Sequence, residues 1–591
     1  NRNKQKTSSQ SRMKADHGDV ALNQKQERYL YLGCLTKKQL IMLSMAVGLV
    51  ILILIIVPAV IVTRTAPVWV FSTGGDMLDF LVQSGEISEH DGLLATWFHR
   101  ANSKEQMNQA LASDVMILEA DVTLEGYGTP SQRPVPIMAH PPDVYSDNTL
   151  DQWLDAVLDS RKGIKLDFKA LESVVFSLDL LKQKNSSRGI NRPVWLNADI
   201  VRGPNVPSFV PTINGTRFLQ LIQEMFPDVT LSPGWMVLYV PPIFIGTYSR
   251  DMMENMYHMI KDVPQKVTFP VHSLLIRSGW QHISWLLNQS PRFTLTLWHG
   301  SDHPNISDLL FVRDNTRPAE VYYDIYEPTL SEFKEAAKNH SGIRRFYPGG
   351  NLMDFLYPVH NSNSNFLSHV TQQSSLRVHW FPVTDEASLF ARLADENGGM
   401  MVLHVVSDRK QPGVPVLGDS GNNSDPFTLQ YVLELLGQRA NAPWGVYLRS
   451  HNHQLLEASL KLLQAAYRTE ELYRPIWISM ESLHSSTSTN DFVSTVEDLF
   501  PYVTVVFAEQ NWPPRIPAAL TGLSQRTAVH LTSASLLKRP QEIPSLKQMD
   551  KYDFLVEVDK KDSAETFAIL KKLMAQRSEN AKTNLYMMTG Q

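Results

Sequence analysis

A single cysteine, Cys34, occurs in 591 residues, so no disulfide can be built within the chain. Everything after Cys34 must be held by packing alone, which large domains with ample cores manage and small secreted ones do not. A second lack is an excess of positive charge: 55 Lys and Arg against 60 Asp and Glu give a net charge of −5. No basic face is patterned along the chain, which excludes a nucleic-acid partner. A third lack is a glycine-rich phosphate loop after the first strand-like run, which argues against an open dinucleotide-binding sheet. What remains is an ordinary globular composition, 43% hydrophobic and 19% charged, over a length that one core rarely serves. At least two domains are therefore expected.

One segment departs from that average. Gln39 to Val62 is almost wholly apolar and reaches the roughly 20 residues a membrane-spanning helix needs. It is longer than the ~7–15 residue apolar core of a signal peptide, and a buried core helix is rarely apolar on every side. Arg2, Lys4, Lys6, Arg12, Lys14, Lys25, Arg28, Lys37 and Lys38 precede it, against Asp16, Asp19 and Glu27, whereas Arg64 alone follows closely. The bias predicts a single-pass type II topology: residues 1–38 a cytosolic basic tail, 39–62 the span, and the rest extracellular or lumenal. Six Asn-x-Ser/Thr acceptors, at Asn185, Asn214, Asn288, Asn305, Asn339 and Asn422, all lie on the far side. Cys34, beside Lys37 and Lys38, is either an inert thiol or a juxtamembrane palmitoylation site.

From Trp69 onward short apolar runs alternate with helical stretches. The runs are Leu93–His99, Val115–Val122, Ile164–Phe168, Val194–Ile200, Val229–Leu231, Val267–Ile276, Phe293–Trp298 and Val321–Tyr326. Eight strand-helix units in sequence predict an α/β fold closed as a TIM-like (β/α)₈ barrel. The pattern then repeats. Trp97-Phe98 matches Trp380-Phe381, Gly163-Ile164-Lys165-Leu166 matches Gly445-Val446-Tyr447-Leu448, and Arg192-Pro193-Val194-Trp195 matches Arg474-Pro475-Ile476-Trp477. Landmarks in one order at domain spacing mean duplication. Residues 69–345 are predicted as the first barrel and 346–575 as a second, degenerate copy without a recognisable eighth strand. Residues 576–591 read as a polar, frayed tail.

The strand ends of the first copy carry His99, Glu119, Asp121, His140, Asp167 and Lys169; the second offers Pro382, His404, Val406, Asp419, Arg449 and His451 at the aligned places. Residues two apart in a strand share a face, so Glu119 pairs with Asp121, and Asp167 lies with Lys165 and Lys169. Barrel active sites lie at the C-terminal rim. Three carboxylates gathered there repel unless a cation or protons intervene, and Mg²⁺ or Ca²⁺ suits oxygen ligands. Lys169 is placed to face a phosphate, and His99 and His140 to exchange protons near neutral pH. Each residue also has a structural reading as a strand-end ion pair or a capped histidine. Asn197, Asp199, His272, Trp298 and His299 either line the same bowl or serve core and loops.

Trp97–Asn102, Glu119–Val122, Pro136–Pro142, Asp147–Trp153 and Lys162–Lys169 resemble the menorin family. The resemblance implies kinship with phospholipase-C-like phosphodiesterase barrels, among them glycerophosphodiester phosphodiesterases and spider-venom sphingomyelinase D. It implies His99 and His140 as the acid/base or nucleophile pair, Glu119, Asp121 and Asp167 as metal ligands, and Lys169 facing the phosphate. Ala101 replaces the glycine of the glycerophosphodiesterases, and Pro141 stands where they have an aspartate, which leaves the substrate class open. Two functions follow: a metal-dependent phosphodiesterase acting on a phosphodiester lipid, or a non-catalytic scaffold for a cell-surface protein partner in guidance or adhesion.

Overall fold

The computed structural model describes residues 38–39, 41–51, 70–339, 343–358, 376, 378–418, 425–481, 486–508, 522–538, 551–575 and 583–589. Two units are distinguished, divided after Val70. In the first, residues 38–39 and 41–51 are helical and expose Ile41, Met42, Leu43, Met45, Val47, Leu49, Val50 and Ile51. Among the described residues no helix is long and apolar enough to cross a membrane. The predicted span continues through residues 52–62, which lie outside the described residues, as do Cys34 and most of the basic flank.

The second unit carries two sheets of the same plan. In the first, β1 (Trp97–Phe98), β2 (Ile117–Leu124), β3 (Pro136–Met138), β4 (Gly163–Phe168), β5 (Val194–Arg202), β6 (Thr230–Met236), β7 (Val267–His272), β8 (Phe293–Trp298) and β9 (Val321–Asp324) follow in chain order. They pair in parallel as β1-β2-β4-β5-β6-β7-β8-β9, with β3 antiparallel on β2. The second comprises β10 (Trp380–Pro382), β11 (Gly399–Ser407), β12 (Pro415–Leu417), β13 (Trp444–Ser450), β14 (Ile476–Met480), β15 (Thr504–Ala508), β16 (Thr527–Thr532), β17 (Asp553–Val558) and β18 (Leu585–Thr589). Its order is β10-β11-β13-β14-β15-β16-β17-β18, with β12 antiparallel on β11. Both are nearly closed eight-stranded parallel barrels.

Helices cross between the strands where the sequence places them, and their starts have local causes. Ser103 Oγ accepts from Gln106 N while Gln106 Oε1 accepts from Ser103 N, and Thr149 and Gln152 repeat this exchange. These reciprocal caps begin the helices Lys104–Ala112 and Leu150–Leu158. Two predicted runs end differently. Of Leu93–His99 only two residues form a strand, because Asp91 closes a turn on the amides of Leu93 and Leu94. Of Val267–Ile276 the strand stops at His272, and the helix Ile276–Leu287 takes over after one 3₁₀ turn. The predicted frayed tail is corrected: Leu585–Thr589 pairs with β17 from Phe554↔Leu585 to Val558↔Thr589, the strand the sequence reading lacked. Its Leu-Tyr-Met-Met pattern is apolar and buried, but five residues inside a polar context give too short a period to read.

Each barrel floor is an aromatic cluster. Trp97, Trp195 and Tyr322 stack edge to face or tilted at 5.5, 6.3 and 4.8 Å, bringing the first and last strands together. Trp380, Trp477 and Tyr586 repeat it at 5.3, 5.8 and 5.5 Å. Each barrel also buries one arginine at the matching landmark. Arg192 donates to the carbonyls of Ile190, Val157, Lys162 and Leu158. Arg474 donates to those of Ala442, Trp444, Leu436 and Arg439. The barrels meet side by side: Arg277 contacts Glu470 and Tyr473, and Tyr502 Oη donates to Ser278 O.

Candidate functional site

The parallel register builds the site in rungs at the C-terminal ends of the first barrel's strands. Glu119 is level with Lys165, and Asp121 is level with Asp167 and, through it, Asn197. Alternation turns both rungs into the bowl. On the lower rung Lys165 Nζ lies 3.1 Å from Glu119 Oε1, with both side chains almost fully buried. Across the seam His99 Nδ1 hydrogen-bonds Asp324 Oδ2 at 2.9 Å and lies 3.1 Å from Glu119 Oε2.

On the upper rung Lys169 Nζ reaches Asp167 Oδ2 at 2.5 Å and Asp121 Oδ1 at 3.3 Å. Asn102 donates to Asp121 Oδ2 and accepts from the Asp121 amide, at 2.9 and 2.8 Å. Asn197 donates to Asp167 Oδ1, and Ser232 donates to Asn197 in turn. Asp199 stands near Lys169, and burial lifts its carboxyl to about 7 despite that ammonium.

These charges set each other. Burial opposes the imidazolium of His99, but Glu119 and Asp324 outweigh it and raise the group to about 10. Burial likewise opposes ionised Glu119, yet Lys165 and His99 hold it well below the usual carboxylate range. Lys169 is held charged by Asp167, Asp121 and Asp199 against its burial. A protonated His99 and Lys165 thus balance Glu119 and Asp324.

The predicted ion ligands are grouped differently from the expectation. Lys169 stands between Asp121 and Asp167, where the sequence reading put a cation. Among the described residues the group whose ligand atoms converge is His99, Glu119 and Asp324, all within 4.8 Å of one another. One observation fits a cation there: Glu119 Oε2 is buried and accepts no hydrogen bond, because the single Nδ1 proton of His99 goes to Asp324. Asp324 was missed by sequence reasoning, although it lies inside the recognised run Val321–Tyr326 and ends the strand that forms there. Comparison of the two copies drew attention only to residues with a visible counterpart, and the matching strand was unread. His140 follows β3 and Ala139, whose amide donates to Asp121 O, and its Nδ1 donates to Pro141 O at 2.7 Å. That bond leaves Nε2 as the free basic atom. His272 stacks between Tyr239 and Trp298 at 5.2 and 4.7 Å, and burial with nearby His299 lowers it to about 4. His299 Nδ1 donates to Gly300 O and its Nε2 accepts from Tyr326 N, so it braces a loop.

The model of the Menorin N-terminal domain matches this chain twice, over residues 91–330 and 374–530. The chain belongs to the menorin family. Human protein FAM151B is 44% identical over 262 residues, which are 44% of this chain and 93% of that protein. Among solved structures, a phosphodiesterase of Oleispira antarctica in complex with its product sn-glycerol-3-phosphate is 11% identical. That match covers 41% of this chain and 97% of the other, at a TM-score of 0.26.

With the second menorin match in view, the pairing register aligns the copies residue by residue. Trp97↔Ile117 and Ile117↔Gly163 correspond to Trp380↔Met400 and Met400↔Gly445. Val402 therefore stands for Glu119 and His404 for Asp121, which corrects the sequence alignment of His404 with Glu119 and Val406 with Asp121. A slip of two residues keeps every side chain on its face, so alternation could not reveal it. Following the ladders to the last strands puts Met588 in the place of Asp324. The converging group His99, Glu119, Asp324 is thus Pro382, Val402, Met588 in the second barrel, and Tyr447 replaces Lys165. Its mouth holds another set: Arg449 lies 3.8 Å from Glu481 and 3.9 Å from Glu557, with His404 and His451 at 3.5 and 3.4 Å from Glu481. Asp419, aligned with His140, lies outside the described residues.

Proposed function

We propose that the first menorin barrel is a divalent-metal-dependent phosphodiesterase and that the second is its non-catalytic companion, both held at a membrane by the apolar segment 39–62. The observation that carries this reading is Glu119 Oε2, buried without a hydrogen bond and facing only His99 Nδ1 at 3.1 Å inside the group His99, Glu119 and Asp324, with Lys165 and Lys169 beside it. Those three residues would hold the cation in place of the His99 Nδ1 proton, which must leave for that nitrogen to ligate, and Asp121 and Asp167 flank it on the next rung. The cation, Mg²⁺ or Ca²⁺, would supply Lewis-acid neutralisation of a phosphoryl oxygen. Lys169 sits between two carboxylates at the rim and supplies a fixed ammonium to a second phosphoryl oxygen. His140, with Nδ1 committed to Pro141, presents Nε2 as a base, and Asp199, lifted by burial, is suited to hold a proton near neutral pH.

The test is turnover by the purified full chain of glycerophosphodiesters and lysophospholipids, with Mg²⁺ or Ca²⁺ supplied and with a chelator. Metal-dependent release of a phosphomonoester or alcohol, lost in Glu119→Gln, supports the proposal. Absence of turnover together with absence of metal binding defeats it. A second reading, an extracellular interaction protein using the barrels as a scaffold, draws on Pro382, Val402 and Met588: one barrel already persists without the chemistry. Intact cellular phenotypes in Glu119→Gln and His140→Ala would favour it.

A further inference from the structure

Two loops at the rim of the first barrel lack what water-facing loops normally carry. Residues 203–216, after β5, and 237–249, after β6, contain no Asp, Glu, Lys, Arg or His. They expose large apolar side chains instead: Phe209 is 83% exposed, Ile243 74%, Ile245 62% and Val240 44%. Scattered apolar residues on a surface need no explanation, but a ridge of them does, and the guanidinium that reaches this one, Arg202, donates to Val210 O at its base.

The ridge is built rather than loose. Asn205 ties the two loops together: its Nδ2 donates to Leu238 O at 2.8 Å, and its Oδ1 accepts from Gly246 N at 2.9 Å. Asn205 adopts a φ of +65°, a conformation asparagine tolerates better than most residues. The tip turns back on itself, with Phe244 N and Ile243 N both donating to Val240 O and Val240 N to Phe244 O, so these amides are satisfied while the side chains of Ile243 and Ile245 are exposed. Apolar protrusions with satisfied backbone and no charge enter a lipid interface at little desolvation cost.

Position supplies the occupant. Both loops leave the same C-terminal rim as the site, after β5 and β6, and Tyr239 at the root of the second packs on His272, which packs on Trp298, level with Asp324 in the next strand. A cationic and carboxylate bowl thus lies beside an apolar ridge on one rim, touched by the Arg202 guanidinium and by no carboxylate of its own loops. That pairing is complementary to one kind of molecule, an amphiphile with a phosphodiester head and an acyl tail. We propose that the Asn205-fastened loops form a wedge that enters the outer surface of a phospholipid layer and delivers lipid phosphodiesters to the first barrel. The choice of lipid as substrate rests on the phosphodiesterase reading; the insertion of the wedge does not.

The single native cysteine makes the test direct. The full chain carrying Cys34→Ser and Ile243→Cys, labelled with the environment-sensitive dye NBD, is reconstituted in phosphatidylcholine vesicles and compared with the same protein in detergent-free amphipol. A second labelled variant, Lys182→Cys on the outer helix Glu172–Arg188, is the control. Expected are a several-fold rise and a blue shift of NBD emission at position 243 in vesicles, quenched by lipids spin-labelled along the acyl chain, with neither effect at position 182. Equal, unquenched emission at 243 in both settings overturns the wedge. So does a rise at 243 that follows protein concentration and not lipid, which would mark contact with a second protein. Matching circular dichroism of labelled and parent chains certifies the fold. If the label is quenched by lipid but the parent turns over no phosphodiester, the activity fails and the wedge stands.

Discussion

Arg192 allows the sharpest energetic prediction. Its guanidinium is buried and donates to four main-chain carbonyls, those of Ile190, Val157, Lys162 and Leu158, at 2.9–3.1 Å. Two of these belong to the last turn of the helix Leu150–Leu158, where carbonyls lack helical partners and a positive charge is favoured. Arg192→Met keeps the apolar stem and deletes the fork. Val157 O keeps its bond from Ser160 Oγ, so three carbonyls lose this donor. At about 1–3 kcal/mol for each buried group left unsatisfied, the gross loss is about 3–9 kcal/mol. Relief of a desolvated guanidinium offsets part of it. Burial lowers this group from 12.5 to about 10, and that shift corresponds to about 3 kcal/mol. The net expectation is a destabilisation of about 3 kcal/mol. In a domain of this size that lowers the midpoint of thermal unfolding by roughly 6–12 °C. The assay is paired thermal and urea unfolding followed by tryptophan fluorescence, with Arg192→Lys as control. Lysine carries three donors on one point and cannot span these carbonyls, so it should restore little. A loss below about 1 kcal/mol, or full rescue by lysine, would refute the idea that this arginine anchors the helix to the barrel.

Arg474→Met should cost the second barrel a similar amount, about 3 kcal/mol, since it too reaches four carbonyls; unfolding of each single variant resolves which barrel melts first. The buried His272, lowered to about 4, folds best when neutral. Its contribution is complete above the unfolded value near 6.5 and falls away as pH drops toward 4. Between pH 7 and 5 it should cost about 2 kcal/mol of stability, a slope that His272→Gln flattens in urea titrations. Lys169→Met removes the ammonium between Asp121 and Asp167 and should abolish turnover, while circular dichroism at pH 7 remains native. Arg277→Ala deletes the group that touches Glu470, Tyr473 and the ring of Phe311, and should loosen the two barrels, read as faster proteolysis between them.

How far the sequence could be read follows from what each signal depends on. Strand runs and crossover helices declare themselves locally, as in the helix Leu150–Leu158, whose start is set by the cap that Thr149 and Gln152 form. The bowl was legible as a set of strand ends, since alternation puts Glu119 with Asp121 and Asp167 with Lys169. Which of them touch was not legible, because contact across strands is a matter of register. Glu119 meets Lys165 and His99, not Asp121's partner Lys169, and only the pairing of β2 with β4 decides that. Asp324 needed closure of the barrel, a contact 225 residues long in sequence that no local pattern encodes.

The two copies separate what the fold requires from what the site requires. Both keep the buried Arg-Pro anchor and the Trp-Trp-Tyr floor, whose ring spacings agree within about an ångström. Both keep the antiparallel strand laid on the second barrel strand. Only one keeps the acidic rungs. Buried like charges such as Glu119, Asp121 and Asp167 are costly unless cations satisfy them, and nothing in the packing of either barrel calls for them. The second barrel shows the cheaper solution: Val402, Met588 and Tyr447 fill the same places, and Tyr447 joins the aromatic floor at 6.2 Å from Trp477. A barrel that folds without these carboxylates has no structural reason to retain them. Their presence in the first copy, with Lys165, Lys169 and His99 set against them, therefore has its reason outside the packing of the fold.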